Sequence, residues 1–165
     1  MNGVPSKFAL AVKVILRILL GTVALLALAL LIARFAGLNP SGPRPGLWLS
    51  GKLITTTVAD WSFANSYPTI EVQTRTWYLI PHSVTIWGVG YEGHLYLQAI
   101  GSWKHNVVRD PHVRIRIGND LYDRTVQYVT DSAEYWVVAR NMNKKYGNKW
   151  PLPKEAFPDV FLRVD

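Results

Sequence analysis

Residues 18 to 33, "ILLGTVALLALALLIA", carry no charged side chain. Extended back through Val14, Ile15 and Leu16, the run reaches the ~20 residues with which a helix crosses about 30 Å of hydrocarbon. The 165-residue chain therefore reads as an apolar appendage, residues 1–36, followed by one domain of ordinary size. Arg17 stands near the end of the run, where it can snorkel to the headgroups. Ala27-Leu28-Ala29 matches the small-x-small cleavage pattern of a signal peptide. However, Leu30, Leu31 and Ile32 prolong the run beyond the ~7–15 apolar residues of such a peptide. The expectation is an uncleaved single-pass anchor with residues 14–33 against membrane lipid, and a cleaved leader is the alternative. Lys7, Lys13 and Arg17 precede the span, and Arg34, Arg44 and Lys52 follow it. The positive-inside rule gives a small bias, which puts the N-terminus inside and the domain on the periplasmic side of a bacterial inner membrane.

The net charge of +7 suggests a polyanion partner until it is divided along the chain. Residues 1 to 45 hold five bases and no acid, while the remainder holds 13 bases and 11 acids and so carries only +2. A domain that close to balance is a poor nucleic-acid binder, and no nucleic-acid partner is expected. The absence of cysteine removes disulfides, thiolate catalysis, zinc-cysteine sites and iron–sulfur clusters together.

"GLNPSGPRPG", residues 37 to 46, has three prolines and three glycines, which stops the helix and predicts a semi-extended linker. The domain is expected over residues 47–165. Its pattern is strand-like: "LITTTV", "TIEVQTR", "HSVTIWGVGY", "HLYLQAI", "HVRIRI", "LYDRTVQYV" and "VFLRV" are rich in branched and aromatic residues between turn formers. Several short strands in so short a domain predict a mainly β barrel or sandwich. Glu92-Gly93 and Gly118-Asn119-Asp120 mark two hairpins. In "HVRIRI", Val113, Ile115 and Ile117 alternate with Arg114 and Arg116, so one face is buried and the other meets solvent. Asp131 and Glu134 have capping-box spacing at the start of "DSAEYWVVARNMNKKY", which ends with Lys144 and Lys145 ahead of Gly147.

A second short helix, "SWKHNVVRD", opens where "HLYLQAI" ends and is stopped by Pro111. Its first turn, with Ser102 and Lys104 beside free backbone N–H groups, offers a seat for an anion such as a phosphate; a hydrated helix end is the alternative. Arg75, at the end of "TIEVQTR", can add a second charge or remain in solvent. His105 and Asn106 can touch a bound group or serve packing and capping. Other chemistries find no pattern. The four histidines have no metal-motif spacing, no carboxylate pair stands out, and there is no Gly-x-Ser-x-Gly, Gly-x-Gly-x-x-Gly or P-loop.

The strand with "LY", the loop after it and "WKHNVVRDP" resemble the Trp-x-His-Asn-(Leu/Val)-x-x-x-Pro stretch of the deazaflavin-dependent nitroreductase family, within the pyridoxamine 5'-phosphate oxidase-like group. The matching residues are Trp103, His105, Asn106, Val107 and Pro111. The likeness extends more loosely over residues 50 to 165. It implies a split β-barrel of the flavin-binding type that dimerises, with FMN or a deazaflavin in a groove and its phosphate near the loop after the "LY" strand. Arg75, Ser102, Trp103, Lys104, His105 and Asn106 become the cofactor-binding candidates. Trp77, Tyr78, Trp87 and Trp103 offer flat apolar walls for the ring. The chain departs from the family at the Gly-Arg-Lys-Ser-Gly loop, where it has "TRTWYLIPHS" and keeps only Arg75. In the flavin oxidases a Ser-Arg-Lys triplet precedes the short helix, whereas here Gly101-Ser102-Trp103 stands in that register and Lys104 one position on.

Two functions follow as expectations. The first is a membrane-anchored oxidoreductase in which a flavin or deazaflavin carries the chemistry and a small, quinone-like acceptor arrives from the lipid. The second, favoured by the missing loop, is a non-catalytic split barrel tethered to the membrane as a ligand-binding or assembly module. No catalytic side chain is assigned.

Overall fold

The computed structural model describes residues 7–147 and 160–165. The chain divides into two units, residues 1–36 and 37–165. The first is helix α1, Lys7–Ala36, with no buried residue within it. Its 30 residues span about 45 Å at ~1.5 Å per residue, and it is long and apolar enough to cross a membrane.

The second unit is a curled, mainly antiparallel sheet with short helices. Its strands are β1 (Lys52–Leu53), β2 (Ile70–Thr74), β3 (His82–Ile86), β4 (Gly88–Tyr91), β5 (His94–Gln98), β6 (His112–Ile117), β7 (Asp120–Tyr128) and β8 (Phe161–Val164). They pair in the order β3-β2-β6-β7-β8-β5-β4, with β1 running parallel to β7. Strand β7 belongs to both halves of the sheet: residues 120–125 pair with β6 and residues 126–128 with β8. The two ends of the path, β3 and β4, are separated in sequence by Trp87 alone. The sheet thus curls almost onto itself, the closure by which a β domain limits exposed edges.

Strand alternation sorts the side chains into two cores. Ile70, Val72, Leu95, Leu97, Val113, Ile115, Ile117, Leu162 and Val164 fill the first. Tyr96, between Leu95 and Leu97, and Phe161, beside Leu162, face the second, which they share with Tyr135, Val138, Ala139 and Met142 of helix α3 (Ser132–Tyr146). Strands β5 and β8 therefore bury side chains on both faces. Strand β6 is apolar on one, and its outer Arg114 and Arg116 sit directly across from Asp123 and Glu71, which they bind at 2.7 and 2.8 Å.

Both expected hairpins form. Glu92 and Gly93 take φ of 46° and 81°, the mirror-image turn that matches strand twist, and Gly118 takes φ 63° in a two-residue Gly118-Asn119 turn. Asp120, expected within that turn, is already the first residue of β7. Helix α3 is capped as its sequence predicts at one end: Asp131 accepts from the Glu134 N–H at 2.8 Å, and Gly147 closes it in the left-handed region. Glu134 does not complete the capping box. Its carboxylate instead accepts from the Tyr96 hydroxyl at 2.9 Å and from Arg163 at 3.0 Å, tying α3 to β5 and β8.

Residues 37 to 46, expected as a linker, form a closed loop. Ser41 and Arg44 exchange backbone hydrogen bonds, the Leu47 N–H donates to Leu38, and Gly46 pairs with Ser83 of β3. Glycine is required at position 46 by close approach, since a Cβ there would lie 2.2 Å from the Leu38 carbonyl oxygen. The composition that breaks a helix also permits this tight turn.

Candidate functional site

The loop after β5, residues 100–103, leads into helix α2, Lys104–Arg109. Beside that loop lies a groove of about 310 Å³, walled by Ile100 to Trp103, by His82 and Val84 to Ile86 of β3, and by Gly42 to Pro45 of the closed Pro/Gly loop. Its size sits at the small end of the range for small-molecule sites. Val84, Ile86, Ile100 and the two prolines give it apolar walls. Among the described residues, Arg44 is the one permanent cation on them, and its guanidinium makes no ion pair with any described residue. Burial pushes the His82 imidazole below its ordinary pKa, so it faces the groove uncharged at neutral pH. Trp103 is 2 % exposed, and its indole N–H has no acceptor among the described residues. A buried donor without a partner is costly, and this nitrogen is closed to solvent within the main core.

The six candidates do not converge on one point. Ser102 and Trp103 line the groove. Arg75 does not: its side chain binds Asp110 at 3.3 Å, and its carbonyl accepts from Arg109 at 2.6 Å. Asn106 donates to the Thr74 hydroxyl at 3.0 Å, pinning α2 to β2. His105 is exposed and Lys104 half-buried, and neither is on the groove wall. The backbone groups of His105 and Asn106, expected to be free, donate to the carbonyls of Ser102 and Trp103 at 3.2 and 3.0 Å. Helix α2 has only six residues, and the backbone of Trp103 is already helical, so the first turn consumes its own donors. Of the expected aromatic walls, Trp103 alone is on the groove. Trp87 stacks on Tyr146 at 4.5 Å, and Trp77 and Tyr78 are exposed on the β2–β3 turn.

Arg44 and His82 were not singled out from sequence as site residues. Arg44 reads there as a charge flanking the apolar helix, and only the long-range Gly46–Ser83 pairing brings it to β3.

No family model and no curated protein matches the chain. Solved structures do. A proposed 5-nitroimidazole antibiotic resistance protein from Bacteroides thetaiotaomicron matches with 16% identity and a TM-score of 0.51, covering 75% of this chain and 84% of its own. A conserved hypothetical protein from Mycobacterium tuberculosis matches with 20% identity and a TM-score of 0.50, covering 62% and 75%. A proposed pyridoxamine 5'-phosphate oxidase from Listeria innocua matches with 17% identity and a TM-score of 0.48, covering 62% and 86%. At these identities the likeness shows the fold alone, and the domain is a split β-barrel. In this split barrel the groove follows strand β5, which contains Leu95-Tyr96, and it is built from β3, the β5–α2 loop and the Pro/Gly loop.

Proposed function

We propose that the protein is a flavin- or deazaflavin-binding oxidoreductase held at a membrane by α1, acting as a homodimer on a small, quinone-like acceptor. The observation that carries the reading is an apolar-walled groove that also holds Arg44, a cation with no ion pair among the described residues. This set fits a ligand with a flat ring and one anionic end. Arg44 binds the anion, and Ser102 supplies a hydrogen bond. The apolar residues of β3 and the two loop prolines cover the ring and keep water from it. The bound cofactor would supply hydride or electron transfer. The anchor supports a lipid-soluble acceptor, because it would hold the domain beside the acceptor's own solvent.

The test is absorbance and mass spectrometry of whatever copurifies with the detergent-solubilised full-length protein, followed by titration of the emptied protein with FMN and with a deazaflavin. Binding should quench tryptophan fluorescence. Arg44→Ala should weaken it at least tenfold, whereas Arg75→Ala, already paired with Asp110, should change it less than twofold. Equal losses from both would remove Arg44 from the site. A colourless protein that takes up neither cofactor would favour a tethered binding or assembly module. That second reading is motivated by the absent Gly-Arg-Lys-Ser-Gly loop and by a single arginine on the groove.

A further inference from the structure

Turn chemistry accounts for two of the tight hairpins, which turn on Glu92-Gly93 and Gly118-Asn119. The β2–β3 hairpin breaks that rule with Trp77-Tyr78-Leu79-Ile80. Its base is anchored: Thr76 is 8 % exposed, its hydroxyl bonds the Ile80 carbonyl, and the Leu79 N–H reaches the Thr76 carbonyl at 3.4 Å. Beyond the base, Trp77 is 78 % exposed, Tyr78 49 % and Leu79 91 %. Leu79 also takes φ 66°, a conformation that bulky residues avoid. Folding of the domain therefore leaves Trp77 and Leu79 largely exposed and Tyr78 only half-buried. Together they leave roughly 400 Å² of mostly apolar surface, comparable to the largest patch on a typical monomer, which is often functional.

The rim is cationic. The Arg75 side chain is 71 % exposed, and Arg109, bonded to the Arg75 carbonyl, follows Val108, which is 73 % exposed. Asp110 is the acid there, and it is shared between Arg75 and His112. Tryptophan, tyrosine and leucine bordered by arginine are the side chains favoured where hydrocarbon meets lipid headgroups.

We propose that the Trp77–Leu79 turn inserts into the interfacial layer of a lipid bilayer, with Arg75 and Arg109 on anionic headgroups. The bilayer is the one that α1 crosses in the anchor reading, on which this inference rests. A second copy of the chain is the weaker occupant. Three residues at a turn tip fall well short of the ~800 Å² per partner that a stable interface buries. A two-fold contact would also bring the same arginines face to face.

The lack of cysteine makes a direct test clean. Full-length protein with a single cysteine at Leu79→Cys, Asn119→Cys or Leu25→Cys is labelled with an environment-sensitive fluorophore and reconstituted into phosphatidylcholine–phosphatidylglycerol vesicles. Brominated lipids then report contact with acyl chains, and iodide reports contact with water. The inference expects the Leu79 probe to be quenched at least twofold more by brominated lipid than the Asn119 probe, and to be shielded from iodide. A Leu79 probe as open to iodide as the Asn119 probe overturns it. One shielded from iodide but untouched by brominated lipid also overturns it, in favour of a contact between copies. Position 25, midway along α1, reads the anchor separately: quenching there without quenching at 79 leaves the anchor and removes the turn. Quenching at 79 without 25 keeps the turn and removes the anchor.

Discussion

Lys145 should be a stability switch in mildly alkaline solution, and replacing it with methionine isolates the effect. Its ammonium lies in the last turn of α3, 3.0 Å from the Ala64 carbonyl oxygen and 2.7 Å from that of Gly88, with no carboxylate among its described partners. Burial pushes its pKa down from 10.5 to about 8. At ~1.4 kcal/mol per pH unit the full shift would correspond to about 3 kcal/mol, but the group is only half-buried, so solvent screening reduces this to about 1 kcal/mol. The sign follows from proton counting. Below about pH 8 both folded and unfolded chains carry the charge; between there and about pH 10.5 the unfolded chain holds more protons, so stability rises with pH. Methionine has a similar length and no charge. Both carbonyls also keep another donor, Tyr67 N–H for Ala64 and the Tyr146 hydroxyl for Gly88. Urea unfolding of wild type and Lys145→Met in detergent should therefore agree within about 1 kcal/mol at pH 7. The difference should then move by about 1 kcal/mol in favour of wild type by about pH 10. A difference that stays flat across that range would refute the burial argument. A loss above about 2 kcal/mol at pH 7 would show that the two carbonyls hold the ammonium more strongly than desolvation penalises it.

Two further changes test the packing of β4 and the cap of α3. Gly90→Ala would place a Cβ 2.2 Å from the carbonyl oxygen of buried Trp61; it should cost about 2–3 kcal/mol, read as a lower urea midpoint at unchanged slope. Asp131→Ala removes the acceptor that caps α3 and should cost about 1 kcal/mol by the same assay, with Asp131→Asn restoring most of it.

What could be read from the sequence was what local rules decide. The alternation of "HVRIRI" showed a one-faced strand because only one face is buried, and Asp131, Lys144 and Gly147 marked α3 because caps are local. The Leu95-Tyr96-Leu97 run is apolar throughout because β5 is covered on both sides, by the barrel interior and by α3. The groove was only half legible. Ser102 and Trp103 lie on one continuous loop, but their companions Arg44 and His82 arrive through a pairing between Gly46 and Ser83 that no local pattern announces. Lys145 looked like an ordinary basic residue complementing a helix end. Its burial depends on where the Ser62–Ser66 3-10 turn and β4 happen to pass.

The position of β8 in the sheet has a consequence for chain growth. It follows both β5 and β7 in the chain, yet it lies between them, pairing Val164 with both Leu95 and Val126. Until it emerges, two mature strands have no partner along the edges it will fill, and their inward side chains face an open seam. Closing that seam joins residues some seventy positions apart, a slow, entropically costly step. The barrel should therefore close late, once the strands that precede β8 have been made.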